Sequence, residues 1–239
     1  PAQDANTNPW GYKYSWSPRA VMIAGRNSAR FLREGELVEI PGRDLFAHSW
    51  PYEVEGQGIF EIYPNRDSLK YVPHYDLEGV RGMFRGTVRY PGWCETIRKM
   101  VELGLLDDGP RDRTGSTFLG LMRELAQAAP GADVRSAVAA RLGLALSSAV
   151  ISRMDWLGLF DEKGLPAEKG SSLDNLAALM IERLQYAKGE RDMIILQHEF
   201  LARGQTGRNE RIVTTLVDYG VPGGDSSMSR TVGLPAAIA

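Results

Sequence analysis

The spacing of hydrophobic and polar residues changes twice along the chain. Short apolar runs bounded by Pro, Gly and Asn predict strands at residues 36–40, 59–63 and 83–90. From residue 114 to residue 186 the apolar residues recur at helical spacing, in stripes that stop before Pro130, Gly143 and Gly158. Strands return at 192–202 and 211–219, joined by a hairpin at 204–207. The pattern therefore reads as strands, then helices, then strands.

Helix boundary signals add detail to this pattern. Residues 12–32 read as the start of a helix, with Ser15 or Ser17 as the cap and Pro18 in the first turn. Residues 93–103 predict a second helix ended by Gly104, and a C-terminal helix starts near Ser227. Ser171 and Asp174 predict a capping box at the start of the last helix of the central region.

This order of elements predicts an α+β fold. Residues 1–104 and 191–239 would form a domain around a mixed or antiparallel sheet. Residues 105–190 would form an all-α domain inserted into it.

Composition and charge narrow the possible partners. The chain has 239 residues, of which 43% are hydrophobic, so it can bury a sizeable core. Its 28 basic and 30 acidic residues leave a net charge of -2, which disfavours nucleic acid and anionic membranes as partners. No apolar stretch is long enough to span a bilayer. The single cysteine excludes an internal disulfide and predicts a cytoplasmic location. The polar start and apolar end predict that the chain is part of a longer polypeptide.

Most familiar catalytic signatures are absent from the sequence. It has no Gly-x-Gly-x-x-Gly after a strand and no P-loop. His48, His74 and His198 lack metal-ligand spacing, so no metal site is predicted. Cys94 opens a helix whose dipole could lower the pKa of its thiol, but no neighbouring base is evident and a packing role is favoured.

Two arginines remain as candidates for binding a ligand. Arg66 follows a strand within a polar segment, and Arg89 shares a strand face with Arg85 and Thr87. The other face, with Phe84, Val88 and Tyr90, is expected to pack on a core. A guanidinium binds a carboxylate through two parallel hydrogen bonds, so two arginines would suit a substrate with several carboxylates. Taken alone, an arginine on a strand more often forms a structural ion pair, and Asp67 could serve instead to hold Arg66 in place.

Seven segments together resemble the saccharopine dehydrogenases of the L-glutamate-forming type. They are YKYSWSPR at 12–19, YPNRDS at 63–68, RGTVRY at 85–90, WLGLF at 156–160, GERD at 189–192, LQHEF at 196–200 and VGLP at 232–235. The resemblance covers nearly the whole chain. Enzymes of this family combine an N-terminal Rossmann domain that binds NADP with a substrate domain and an inserted helical domain. The resemblance implies that this chain contains only the latter two domains.

The resemblance also implies roles for individual residues. Arg66 corresponds to an arginine that binds a carboxylate of saccharopine, and Thr87, Val88 and Arg89 correspond to a second substrate-binding segment. Trp16 corresponds to the residue that contacts the cofactor. The implied reaction, in lysine metabolism, interconverts saccharopine with 2-aminoadipate semialdehyde and glutamate, and the implied assembly is a homodimer. No catalytic acid or base is assigned, because the family's candidates lie before residue 1.

Two alternatives stay open. A related reductase of the carboxynorspermidine type would bind a product with fewer carboxylates and an extra ammonium group, which calls for an acidic residue near Arg66. A non-catalytic binding or assembly module is the other alternative.

Overall fold

The fold combines helices with small antiparallel sheets. A computed structural model describes residues 1–24, 27–204 and 207–238. The strands are β1 (Ala29–Arg33), β2 (Glu36–Ile40), β3 (Trp50–Val54), β4 (Gly58–Pro64), β5 (Gly86–Arg89), β6 (Met193–Arg203) and β7 (Asn209–Tyr219). The α-helices are α1 (Pro18–Ala24), α2 (Tyr71–His74), α3 (Trp93–Leu103), α4 (Phe118–Ala126), α5 (Val134–Arg141), α6 (Ala149–Leu157), α7 (Ser172–Arg183) and α8 (Ser227–Ile238). None of these helices is long and apolar enough to cross a membrane.

The strands pair as β1–β2, β3–β4–β5 and β6–β7, with antiparallel neighbours throughout. The strands predicted at 36–40, 59–63, 192–202 and 211–219 are confirmed. The third predicted strand is shorter than expected, because only Gly86–Arg89 pairs continuously with β4 and Met83 forms an isolated bridge with Leu32. The predicted hairpin turn falls partly on Gln205 and Thr206, which lie outside the described residues.

The prediction of a helix over residues 12–32 is wrong at its C-terminal end. The helix α1 does begin at Pro18, and the Ser17 hydroxyl accepts a hydrogen bond from the Ala20 N–H. Residues 29–33, however, form β1, where Phe31 is buried and pairs with Val38. Alanine, arginine and leucine favour helices in isolation, so pairing with β2 overrides local propensity here.

Sequence reasoning missed the strand β3. Pro51 lies inside it, and proline removes a ladder donor. The sheet tolerates this residue because β3 is an edge strand.

The helices predicted at 93–103, in the central region and from Ser227 onwards are confirmed. Gly104 ends α3 with a φ of 90°, a left-handed conformation that glycine adopts without strain. The capping box of α7 is present, with the Ser171 hydroxyl accepting from the Asp174 N–H and the Asp174 carboxylate accepting from the Ser171 N–H. The helices bury Phe118, Leu121 and Met154 completely, as their helical spacing predicts.

The chain divides into two compact units. One, the ribbon unit, consists of residues 1–8, 12–16 and 185–239, and the other, the sheet–helix unit, consists of residues 9–11 and 17–184. In the ribbon unit the buried carboxylate of Asp192 accepts hydrogen bonds from the N–H groups of Ser227 and Met228 and so caps α8. The sheet–helix unit groups residues 17–104 with helices α4–α7. The predicted domains, 1–104 with 191–239 against an inserted 105–190, stay a prediction.

Candidate functional site

The end of β4 holds Arg66 in an unusual backbone conformation. Arg66 has a φ of 58°, in the left-handed region that residues other than glycine rarely adopt. Its carbonyl accepts a hydrogen bond from the Arg30 N–H at 3.0 Å, which ties this bend to β1. The side chain is exposed. Non-glycine residues held in this region are concentrated at binding and active sites, because the surrounding structure must maintain the strain.

Asp67 does not serve to hold Arg66. Its carboxylate lies 3.5 Å from the Arg30 guanidinium and accepts a hydrogen bond from the Leu69 N–H at 2.8 Å. The Arg66 guanidinium projects into solvent beside a carboxylate that is already paired. The suggestion that Asp67 positions Arg66 is therefore wrong.

A polar network connects this bend to β5. The Asn65 amide donates to the Thr87 hydroxyl at 2.9 Å, and Arg85 donates to the Asn65 carbonyl at 3.3 Å and to the Tyr71 hydroxyl at 2.6 Å. The buried Ser68 hydroxyl accepts from the Arg85 N–H at 3.0 Å. Thr87 and the Arg66 bend are thus held in one hydrogen-bonded framework. The contacts of Tyr71 and Ser68 with Arg85 could not be predicted from the sequence, because only the fold brings these residues together.

The segment Thr87–Arg89 is half buried along its whole length. Val88 pairs with Ile62, and Thr87 pairs with the buried Tyr63. The Arg89 guanidinium lies 5.8 Å from the centre of the Trp93 ring and donates to the Val88 carbonyl at 3.0 Å. The face with Thr87 and Arg89 is therefore partly covered.

Strand register separates the two arginines. Arg89 lies opposite Glu61, and Arg66 follows five residues after Glu61 on the same chain segment. Arg66 lies two residues beyond the end of β4, on the left-handed bend, so the two arginines stand at different positions along the strand direction. This offset suits contacts of the two arginines with different parts of one ligand.

Glu61 and Cys94 lie where α3 begins. The Glu61 carboxylate accepts hydrogen bonds from the N–H groups of Gly92 and Cys94, which caps the helix. Burial raises the pKa of the Cys94 thiol, and the nearby Glu61 charge raises it further. The alternative of a thiol activated by the helix dipole is therefore wrong, and the packing role is confirmed, because the side chain is fully buried.

We expect Cys94 to be inert towards alkylation in the folded protein. A buried thiol with a raised pKa presents almost no thiolate. Iodoacetamide at pH 8 should leave the native chain unmodified over the time in which the urea-unfolded chain reacts fully, as measured by intact mass. Equal labelling rates in the two states would contradict the burial and the raised pKa.

Trp16 belongs to the ribbon unit, and 45% of its surface is exposed. An exposed indole offers a flat apolar surface with one hydrogen-bond donor. Within the described residues, no group of three or more His, Cys, Asp or Glu side chains could hold a metal ion.

Comparison with known proteins places the whole chain in one family. The family described as the saccharopine dehydrogenase C-terminal domain matches residues 1–239. The chain belongs to this family. It is 38% identical to the NADP(+), L-glutamate-forming saccharopine dehydrogenase of Schizosaccharomyces pombe, over all of this chain and 55% of that protein. It is 34% identical to the mitochondrial alpha-aminoadipic semialdehyde synthase of Bos taurus, of which it covers 26%.

A solved structure supports the same assignment. The apo saccharopine dehydrogenase (L-Glu forming) of Saccharomyces cerevisiae matches with a TM-score of 0.89 and 35% identity. The match covers all of this chain and 55% of the yeast chain. This saccharopine dehydrogenase C-terminal domain thus spans about half the length of its fungal relatives, and the resemblance found in the sequence motifs is confirmed.

Proposed function

We propose that this chain is the substrate-binding portion of an NADP-dependent, L-glutamate-forming saccharopine dehydrogenase, an oxidoreductase acting on a CH–NH bond. The observation that carries the proposal is the family match over all 239 residues. The reaction interconverts saccharopine with 2-aminoadipate semialdehyde and glutamate and belongs to lysine metabolism. The cytoplasmic location and the all-α insertion at 105–190 are part of the same proposal.

The two arginines fit a substrate with three carboxylates. Arg66, exposed on its strained bend, would bind one carboxylate, and Thr87, Val88 and Arg89 would bind another part of the same molecule. The different positions of the two arginines along the strand direction support contacts with different carboxylates of one ligand. A guanidinium suits this task because it stays charged and presents its donors in a rigid plane.

NADP would be bound mainly by an N-terminal Rossmann domain. The sequence lacks the glycine-rich loop that holds a pyrophosphate, and Trp16 supplies an exposed indole that fits a contact to one edge of the cofactor. NADPH supplies the hydride when bound. This chain contributes the binding and orientation of the amino-acid substrate.

The homodimer is part of the proposal, and the ribbon β6–β7 supports it. One ribbon face carries two apolar cross-strand pairs on either side of His198 and Thr214. The pairs are Leu196 with Leu216 and Phe200 with Ile212, each side chain 47–53% exposed. The two apolar pairs lie at equal distances on either side of this centre. A second copy related by a two-fold axis would therefore pack the pair of one kind against the pair of the other kind.

Light scattering should give a dimer that Leu196→Glu converts to a monomer, and an unchanged mass would rule out this interface.

A carboxynorspermidine-type substrate is less favoured. Its additional ammonium group needs a carboxylate near Arg66, and Asp67 is paired with Arg30.

A substrate panel with the complete enzyme tests the proposal. We expect reduction of NADP with saccharopine and little with carboxynorspermidine, as measured by NADPH absorbance. Turnover of carboxynorspermidine alone would favour the related reductase. No turnover with either substrate would favour a non-catalytic module.

A further inference from the structure

Arg153, on helix α6, donates hydrogen bonds from all three guanidinium nitrogens to uncharged acceptors. Its Nε donates to the Pro9 carbonyl at 2.8 Å, and its Nη2 donates to the Pro91 carbonyl at 3.3 Å. Its Nη1 donates to the Gly92 carbonyl and to the Thr96 hydroxyl, both at 3.2 Å. Burial lowers the pKa of this guanidinium, while the charges of Glu61 and Glu95 raise it. The group thus carries a charge in a half-buried position without a hydrogen-bonded carboxylate.

Three of these four acceptors belong to the segment that directly follows Arg89. Pro91 and Gly92 form the turn between β5 and α3, and Thr96 lies in the first turn of α3. Gly92 has a φ of 90°, and a Cβ at this position would overlap the Arg153 guanidinium. The turn is therefore shaped to receive the arginine side chain.

The same turn is fixed from its other side. The Glu61 carboxylate accepts the Gly92 N–H at 3.1 Å, while Arg153 binds the Gly92 carbonyl. The Arg153 carbonyl in turn accepts the Trp10 indole N–H at 3.0 Å, and the Trp10 ring meets the Trp93 ring edge to face. Trp93 is the residue beneath the Arg89 guanidinium. Both ends of the Arg89–Trp93 contact therefore depend on this turn.

We propose that Arg153 is a positioning residue for substrate binding, which fixes the turn 90–92 and thereby the Arg89 guanidinium. The inference rests on the proposed function, since it assigns Arg89 to a carboxylate of the substrate. Arg153 acts through Arg89 and need not touch the ligand. A residue on a helix of the 105–190 region would thus determine the geometry of a site on the sheet.

Kinetics of the complete enzyme separate this role from a purely structural one. We expect Arg153→Ala to raise KM for saccharopine about tenfold, because misplacement of a charge-assisted contact weakens binding. The KM for NADP and kcat should stay within about twofold of the parent enzyme. Arg153→Lys should restore little, because an ammonium group cannot reproduce the fork geometry of the guanidinium. The matched control is Arg135→Ala, since Arg135 is an arginine of the same region that pairs with Asp155 on the surface.

The outcome that would overturn the proposal is a lowered melting temperature with KM for saccharopine equal to that of Arg135→Ala. If Arg153→Ala does not fold, Gly92→Ala serves in its place. This variant keeps the Arg153 side chain, while the added Cβ pushes its guanidinium away from the turn. That variant should also raise KM for saccharopine, and an unchanged KM would refute the positioning role. A parent enzyme without saccharopine activity would instead refute the proposed function, so the two failures are distinguishable.

Discussion

Replacing Arg66 or Arg89 by alanine in the complete enzyme is expected to raise KM for saccharopine about ten- to a hundredfold. Each change removes a charge-assisted hydrogen bond to a carboxylate, which contributes about 1.5–3 kcal/mol. Each 1.4 kcal/mol corresponds to a factor of about ten in affinity. The measurement is initial-rate kinetics with saccharopine varied at saturating NADP.

The two variants differ in their expected effect on stability. Arg66 is exposed, so its truncation removes little packing, and Arg66→Gly should relieve the strain of its positive φ. Arg89 is half buried against Trp93, so Arg89→Ala should also lower the melting temperature. Comparing KM with melting temperature therefore separates binding from folding at each position.

A surface arginine provides the control. Arg43→Ala removes a side chain that is 82% exposed and pairs with its neighbour Asp44, and it should leave the kinetics unchanged. Parent-like KM values in both Arg66→Ala and Arg89→Ala would contradict the assignment of the site.

Replacing Lys13 by methionine is expected to lower the free energy of unfolding by about 3 kcal/mol. Only 6% of the Lys13 side chain is exposed, and its ammonium group donates to both oxygens of Glu190 at 2.5 Å and to the Thr7 hydroxyl at 3.0 Å. Removing the lysine leaves the half-buried Glu190 carboxylate, whose side chain is 18% exposed, without its counter-charge. Urea unfolding of the full chain at pH 7 measures the change.

The matched control is Lys163→Met, which breaks a surface pair with Glu182, both side chains being about half exposed. Exposed pairs contribute about 0–1 kcal/mol, so this variant should resemble the parent. Equal effects of the two substitutions would contradict the account of Lys13.

Acid should weaken the contribution of Lys13. The hydrogen bond from Lys13 is the largest cause that lowers the pKa of Glu190 below the usual 4.5. The stabilisation is therefore fully present above about pH 4.5 and is lost as the pH falls through the lower pKa of the folded state. The stability difference between the parent and Lys13→Met should shrink over that range.

Local signals were sufficient for much of the secondary structure. Helical stripes ended by Gly104 and Gly158, and the Ser171–Asp174 capping box, depend on residues three or four positions apart, so they could be predicted directly. Predictions failed where a distant partner decides the conformation. Residues 29–33 form a strand because they pair with residues 36–40. Strand β3 accommodates Pro51 because it lies at the edge of its sheet.

The sequence by itself determined which residue types could bind a carboxylate and, through its motifs, the family to which the chain belongs. Only the tertiary structure decided how these residues are presented. In the fold, Asp67 pairs with Arg30, and Arg66 lies on a left-handed bend. Arg89 lies against Trp93, beside a turn that Arg153 binds. The physical reason is that hydrogen bonds and ring contacts between distant residues depend on strand register and helix packing, which no local pattern encodes.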